Sequence, residues 1–175
     1  MRTFSCDIET DGIDATVVWC ISVHNIDTDE VTTFAGSCLE LFKDWVQREA
    51  DCLIFHNGIA FDVPVLERLL DVDFSGVKIE DTMVMSQLYK PRLDGGHSLA
   101  AWGDRLGFEK GDHSDWSKMS DEMLEYCIRD TKVTTKVYKY LLASDLSQDA
   151  KELEYETKKH CSLQERTGWF FDIKS

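Results

Sequence analysis

Two carboxylates set two residues apart, Asp7 and Glu9 in Ser5-Cys6-Asp7-Ile8-Glu9-Thr10, have a spacing that suits chemistry. The segment reads as a strand of period two, with Phe4, Cys6 and Ile8 on one face and Asp7 and Glu9 on the other. Two acids placed so point the same way, roughly 6–7 Å apart. In a sheet core they would raise each other's pKa and destabilise the fold unless a cation sat between them. A hard divalent metal with oxygen ligands meets that need best. The alternative is a strand end bearing two solvated acids, and Asp-x-Glu alone does not choose between them.

More candidates follow. Cys52-Leu53-Ile54-Phe55 reads as a buried strand beside the first, and His56-Asn57-Gly58-Ile59-Ala60-Phe61-Asp62 comes directly after it. Gly58 allows a tight turn, and Pro64 suits the first turn of a helix through Leu66, Leu69 and Leu70. Asp62 then lies at a helix start beyond a central strand, where sites in such sheets gather. Capping that helix is its other possible task, and His56 reads as an ordinary strand-end histidine. Tyr126 and Asp130, four apart, share a face of the longest expected helix, Ser120 to about Ala143. Its apolar stripe runs through Leu124, Cys127, Ile128, Thr131, Thr134, Val137, Tyr138 and Leu141. A tyrosine at the stripe edge above a solvated Asp is the plainer reading of that pair.

The elements that must position these residues begin with a meander. Asp11-Gly12 marks a turn, residues 16–23 a second strand, Asn25 to Asp29 another turn, and residues 31–34 a third strand. Ser37 and Glu40 form a capping-box pattern before an amphipathic helix with Leu41, Phe42, Trp45 and Val46. Residues 77–80 read as the last short strand, and Asp81 as the cap of a helix through Met83, Met85 and Leu88. Pro91 and Gly95-Gly96 break the chain, Ser98 starts a helix ending near Gly107, and residues 111–118 read as an exposed loop. A charged helix from Ser147 to Thr167 stops at Gly168. A meander followed by alternating helix and strand predicts an α/β fold on a mixed central sheet of about five strands flanked by helices.

Composition narrows the function classes. At 175 residues, 43% hydrophobic and 30% charged, the chain has the make-up of one soluble globular unit. No apolar run reaches membrane-spanning length, and Met1-Arg2-Thr3 leads into a strand rather than a signal peptide, so a cytoplasmic location is expected. The six cysteines form no C-x-x-C pair and read as core residues in a reducing compartment. A net charge of −14 argues against affinity gained by wrapping duplex DNA. It leaves open an enzyme that grips one strand end through metal ions, or a module held by a larger partner.

Taken jointly, Asp7-Ile8-Glu9-Thr10, the segment from His56 to Asp62, Asp81-Thr82-Met83, Gly96-His97-Ser98-Leu99-Ala100-Ala101-Trp102 and Tyr126-Cys127-Ile128-Arg129-Asp130 resemble the DEDD superfamily of 3′→5′ exonucleases. More closely, they resemble the proofreading domain of phage family A DNA polymerases. The resemblance implies an RNase H-like fold. It also implies two divalent ions, Mg2+ or Mn2+, held by Asp7, Glu9, Asp62 and Asp130. In the family pattern Asp7 bridges both ions, Glu9 and Asp130 hold the first, and Asp62 acts on the second mostly through water. Tyr126 would orient the attacking water, its ordinary pKa near 10 making it a poor base. By the same carry-over Thr10 and Ile13 touch the terminal nucleotide, and Asn57 and Phe61 line the pocket. Glu125 stands where the family's histidine branch has His, so the match is to the tyrosine branch. Asn57 lies five residues before Asp62, the longer spacing of the phage polymerases.

The resemblance divides the chain into an exonuclease domain, residues 1–145, and a C-terminal helix and tail, 146–175, similar to the connection into a polymerase domain. The expected substrate is a single-stranded DNA 3′ end and the expected partner a DNA polymerase polypeptide or domain, with no membrane association. Trp169-Phe170-Phe171 would leave an apolar patch unless packed, which suits a split or truncated polymerase. The rival readings are a free-standing RNA or oligonucleotide exonuclease and a non-catalytic module that keeps the fold.

Overall fold

The computed structural model describes residues 1–108 and 113–169. Its central strand is β1 (Thr3–Thr10), and the alternation of its side chains decides what each face meets. Phe4, Cys6 and Ile8 join a cluster with Phe42 and Val46 of α1 (Leu41–Glu49) and Val65 and Leu66 of α2 (Asp62–Leu70). The other face meets α5 (Asp121–Leu142). There Ser5 Oγ donates to the Thr131 carbonyl at 2.8 Å and lies 2.7 Å from Thr135 Oγ1. One face is therefore apolar and the other polar, as the period of two predicts.

β1 is flanked by β2 (Val18–Asn25), antiparallel, and β4 (Cys52–Phe55), parallel. β3 (Val31–Ala35) pairs antiparallel with β2, and β5 (Lys78–Asp81) parallel with β4. The five-stranded order β3-β2-β1-β4-β5 is the mixed sheet expected from the sequence. α3 (Thr82–Tyr89), α4 (Leu99–Leu106) and α6 (Gln148–Thr167) complete the helices among the described residues. Trp102, Val133, Val137 and Leu141 pack with Cys52 and Ile54 in a second cluster on the α5 side.

The local signals carry most starts and stops. Ser98, Ser120 and Ser147 each accept a backbone N–H from the helix they precede, and Asp81 accepts those of Met83 and Val84. Three readings change. The second strand begins at Val18 rather than residue 16, because Thr16 and Val17 give their N–H groups to Asp11 Oδ1 at 2.7 and 3.0 Å. The capping box of Ser37 and Glu40 does not form. Gly36–Cys38 is a 3₁₀ turn, and Leu39 and Phe42 N–H bond the carbonyls of Gly36 and Leu39. These backbone partners leave α1 with Glu40 as its first flanking residue and no side-chain cap. Of the expected loop 111–118, residues 111 and 112 lie outside the described residues. Trp116 in the remainder is half-buried rather than exposed, because it packs on the start of α5.

Candidate active site

β1 delivers Asp7 and Glu9 toward α5, with carboxylate oxygens of both and Cys127 Sγ all within 4.8 Å of one another. Asp130 projects from α5 one turn after Tyr126, and its carboxylate and the Tyr126 hydroxyl act on each other's proton affinity. Asp62 is the first residue of α2 and only 6% exposed, yet caps nothing: the flanking residue is Phe61 and no side-chain cap bond forms. Its carboxyl turns to β1 instead. β4 pairs with β1 only over Thr3 to Ser5, which leaves that edge of β1 open at Ile8, beside Asp62. The structure thus brings together the five residues expected to act, from one strand and two helices.

Electrostatics report how tightly they are grouped. Asp7 is pushed well above the usual carboxylate range, first by burial and then by Glu9, Asp62 and Asp130. Burial, then Cys20, Asp130 and Asp62, push Glu9 up to about 9. Burial raises Asp62 to about 7, against the hydrogen bonds of its own N–H and that of Ile8. Asp130 rises to about 6 by burial, opposed by the Tyr126 hydroxyl and the Arg129 charge. Among the described residues none of the four is ion-paired. A donor set of hard carboxylate oxygens, mutually repelling and without a protein cation between them, fits Mg2+ or Mn2+.

Cys127 belongs to this site too, though its place in the apolar stripe hides it. Burial, Cys20 and Asp7 hold its thiol well above the ordinary range, so it stays protonated and donates to the Asp7 carbonyl at 3.4 Å. A neutral thiol is a poor ligand for a hard ion, so Cys127 is a buried neighbour of the carboxylates rather than one of the hard-ion donors. The available signal was its position three residues before Asp130, on one helical face.

A second acid, Asp81, builds the loop that presents Asp62. Its carboxylate accepts the N–H groups of Asn57 and Ile59 at 3.0 and 3.1 Å, besides those of Met83 and Val84 at 2.9 and 3.4 Å. Asn57 adopts φ 67°, and a Cβ on Gly58 would lie 2.2 Å from Phe55 Cβ, so the turn requires glycine there. His56 Nδ1 lies 2.8 Å from Thr82 Oγ1, and burial lowers the ring pKa to about 4, which keeps it neutral. His56 Nε2 and Asn57 Oδ1 are buried without a partner among the described residues.

The expected substrate contacts are less uniform. Ile13 is 90% exposed on the turn after β1. Thr10 is buried, and its hydroxyl donates to the Gly12 carbonyl at 2.9 Å. Phe61 and Asn57 are half-buried beside Asp62 in the chain. A cavity of about 740 Å³ lies elsewhere, among Val63, Phe74, Val77, Tyr155 and Lys159, and no site acid lines it. The convergence of acids, not the cavity, marks the candidate site.

The RNase H superfamily profile matches residues 5–118. The chain is similar to the DNA-directed DNA polymerase of Escherichia phage T7, 24% identical over 234 aligned positions covering 97% of this chain and 33% of the polymerase. It therefore spans about a third of that relative's length. Among solved structures, Brucella melitensis NrnC with bound Mg2+ matches with TM-score 0.71 and 20% identity, covering 100% of this chain and 90% of that one. Phi29 DNA polymerase complexed with single-stranded DNA matches with TM-score 0.57 and 17% identity, covering 99% and 37%. At such identities the structural likenesses establish the fold. The expected RNase H-like architecture and the resemblance to a phage polymerase are both borne out.

Proposed function

Because the chain belongs to the RNase H superfamily, we propose that it is a metal-dependent 3′→5′ exonuclease that removes nucleoside 5′-monophosphates from DNA ends. The observation that carries this reading is the close approach of Asp7 and Glu9, with Asp62 and Asp130 near enough to raise Asp7 and with Tyr126 one turn before Asp130. Asp7, Glu9, Asp62 and Asp130 would hold the two divalent ions, Mg2+ or Mn2+. Divalent ions bound there lower the pKa of water and offset charge on phosphate oxygens during in-line displacement. Tyr126 is held above its ordinary pKa, first by burial and then by Asp130, Glu9 and Asp7, so it keeps its proton at neutral pH. It therefore orients the attacking water by hydrogen bond rather than acting as a base. Ile13, Thr10, Asn57 and Phe61 form the rim that receives the terminal nucleotide.

The domain responsible would span residues 1–145, with 146–175 as the helix and tail leading toward a polymerase. The polymerase would be a separate polypeptide or a domain of the same protein. Trp169 is 81% exposed at the end of α6; Phe170 and Phe171 lie outside the described residues. The direct test is digestion of 3′-labelled single-stranded DNA with Mg2+, with and without chelator. Stepwise release of mononucleotides that stops on chelation is expected; no metal-dependent release sinks the proposal.

One observation favours a second reading. The fold match to NrnC takes in nearly all of both chains, whereas that to phi29 polymerase takes in 37% of the polymerase. A free-standing exonuclease of RNA or short oligonucleotides would carry the fold of NrnC, which was also solved bound to pGG. Comparing turnover of DNA, RNA and dinucleotide ends separates the two, with faster DNA turnover expected here.

A further inference from the structure

Tyr126 has an aromatic neighbour that the proposed reaction does not use. The Trp116 ring meets the Tyr126 ring edge to face, centroids 5.8 Å apart and planes at 84°. Trp116 is itself held from two directions. Its ring packs against His113 at 4.7 Å and 86°, and its carbonyl accepts a 3.1 Å hydrogen bond from Trp19 Nε1. Trp19 is the bulged residue of β2. Glu9 pairs with Cys20 and Thr10 with Val18, so Trp19 has no partner on β1. A bulge re-aims the side chain it carries, and this one sends an indole N–H to residue 116 from the strand position beside Glu9. Trp19, Trp116, Met119 and Leu124 also pack on Cys20, Met123 and Cys127 under the first turns of α5.

This arrangement answers a mechanical need. A tyrosine on the edge of a helix can swing about its first two torsions, and each swing carries its hydroxyl away from a residue one turn below. A ring fixed at right angles to it leaves one orientation favoured. His113 also reaches the Tyr126 ring, but at 6.3 Å and 40° it lies farther away and less square to it than Trp116 does. Trp116 is therefore the ring of the group that meets Tyr126 edge to face. We propose that Trp116 is a positioning residue for Tyr126, fixing the ring so that its hydroxyl stays at Asp130, with Trp19 tying Trp116 to the sheet. The role rests on the function given to Tyr126 above.

The test compares Trp116→Ala, Trp116→Phe, Trp19→Phe and Tyr126→Phe, and the first and third combined with Tyr126→Phe. Measurements are kcat and KM on 3′-labelled single-stranded DNA, thermal melting, and the aromatic NMR resonances of Tyr126 as a readout independent of activity. Trp116→Ala should lower kcat about tenfold with KM nearly unchanged, the order of one lost aromatic contact. Trp116→Phe should recover it to within about threefold, keeping an edge-to-face ring. Trp19→Phe, which removes only the indole donor, should cost about threefold and keeps the question open to measurement if Trp116→Ala does not fold. Neither loss should appear on top of Tyr126→Phe, since the group being positioned is then gone. In the NMR spectrum Trp116→Ala should erase the indole's ring-current shift on Tyr126. Wild-type kcat in the folded Trp116 and Trp19 variants, losses that multiply with Tyr126→Phe, or an unmoved Tyr126 resonance each overturn the role. If the wild-type chain hydrolyses no 3′ end, the nuclease reading fails and this role falls with it.

Discussion

Glu80 and the group of Asp7, Glu9, Asp62 and Asp130 are carboxylates drawn out of water, and the protein treats them in opposite ways. Glu80 is 1% exposed, and its oxygens receive Lys78 Nζ at 2.6 Å, Lys151 Nζ at 3.2 and 3.3 Å and the Tyr155 hydroxyl at 2.7 Å. Burial would raise its pKa, but Lys78, Tyr155 and Lys151 outweigh burial and hold it below the ordinary range. The four site acids have no such cations, and all four are raised. The difference separates a structural use of charge from a chemical one. Glu80 is complete within the chain and ties α6 to β5. The other cluster has no cation of the chain's own to match its charge among the described residues.

The hardest way to break the comparison is to delete a site acid. Asp7→Ala or Asp130→Ala should abolish nuclease activity, by a factor of about 10³ or more, while leaving the fold intact. Without metal, its melting temperature should hold or rise, because a repelling charge has been removed. Activity within tenfold of wild type in either variant would count against the metal site.

Tyr126→Phe comes next. Losing one water-orienting hydroxyl should slow hydrolysis by about 10- to 1000-fold with divalent-ion affinity nearly unchanged. A collapse of ion affinity, read by calorimetry, would make the tyrosine structural instead.

Glu80→Ala should do the reverse, sparing the chemistry and costing stability. It leaves Lys151, 6% exposed, as an unpaired buried charge, a loss of about 3–5 kcal/mol in denaturant unfolding. Replacing Glu80 and Lys151 together by apolar residues should recover much of that loss. If Glu80→Ala is neutral, the contrast between the two clusters is wrong.

The smallest effect is also the sharpest, because the two clusters respond to pH with opposite signs. Raised acids bind protons in the folded state, so their contribution is full below the ordinary carboxylate range. It is then lost as pH rises through about 6 for Asp130, 7 for Asp62 and 9 for Glu9. Glu80 contributes above its ordinary value of 4.5, and that is lost as pH falls through its lowered value. Metal-free protein should therefore melt at its highest temperature near pH 5 and several degrees lower by pH 8–9. Mg2+ should flatten the alkaline limb and leave the acid limb alone. A melting temperature that rises steadily to pH 8 in chelator would contradict the assignment.

What could be read from the sequence follows a rule of distance along the chain. Asp7 and Glu9 share a face because strands have a period of two, and Tyr126 and Asp130 meet because helices return every three or four residues. The caps at Ser98, Ser120, Ser147 and Asp81 were readable for the same reason, their donors lying two or three residues on. The Ser37 box misled because a 3₁₀ turn supplied backbone partners that the side chain would have offered.

Nothing local announces the rest. Asp81 holds the Asn57 N–H across 24 positions, Trp19 reaches Trp116 across 97, and Lys151 and Tyr155 find Glu80 across 71 and 75. Asp62 could equally have been a cap, and β4's short pairing with β1 turned it inward. Backbone geometry repeats over a few residues, so it writes its periods into the sequence, and through them the sequence alone determined the strands, the helices and two halves of the acid site. Joining those halves required the order of strands in the sheet and the packing of α2 and α5 on it. Tertiary structure decided that, because burial and hydrogen bonding between distant segments depend on which surfaces are left to meet once the sheet has closed.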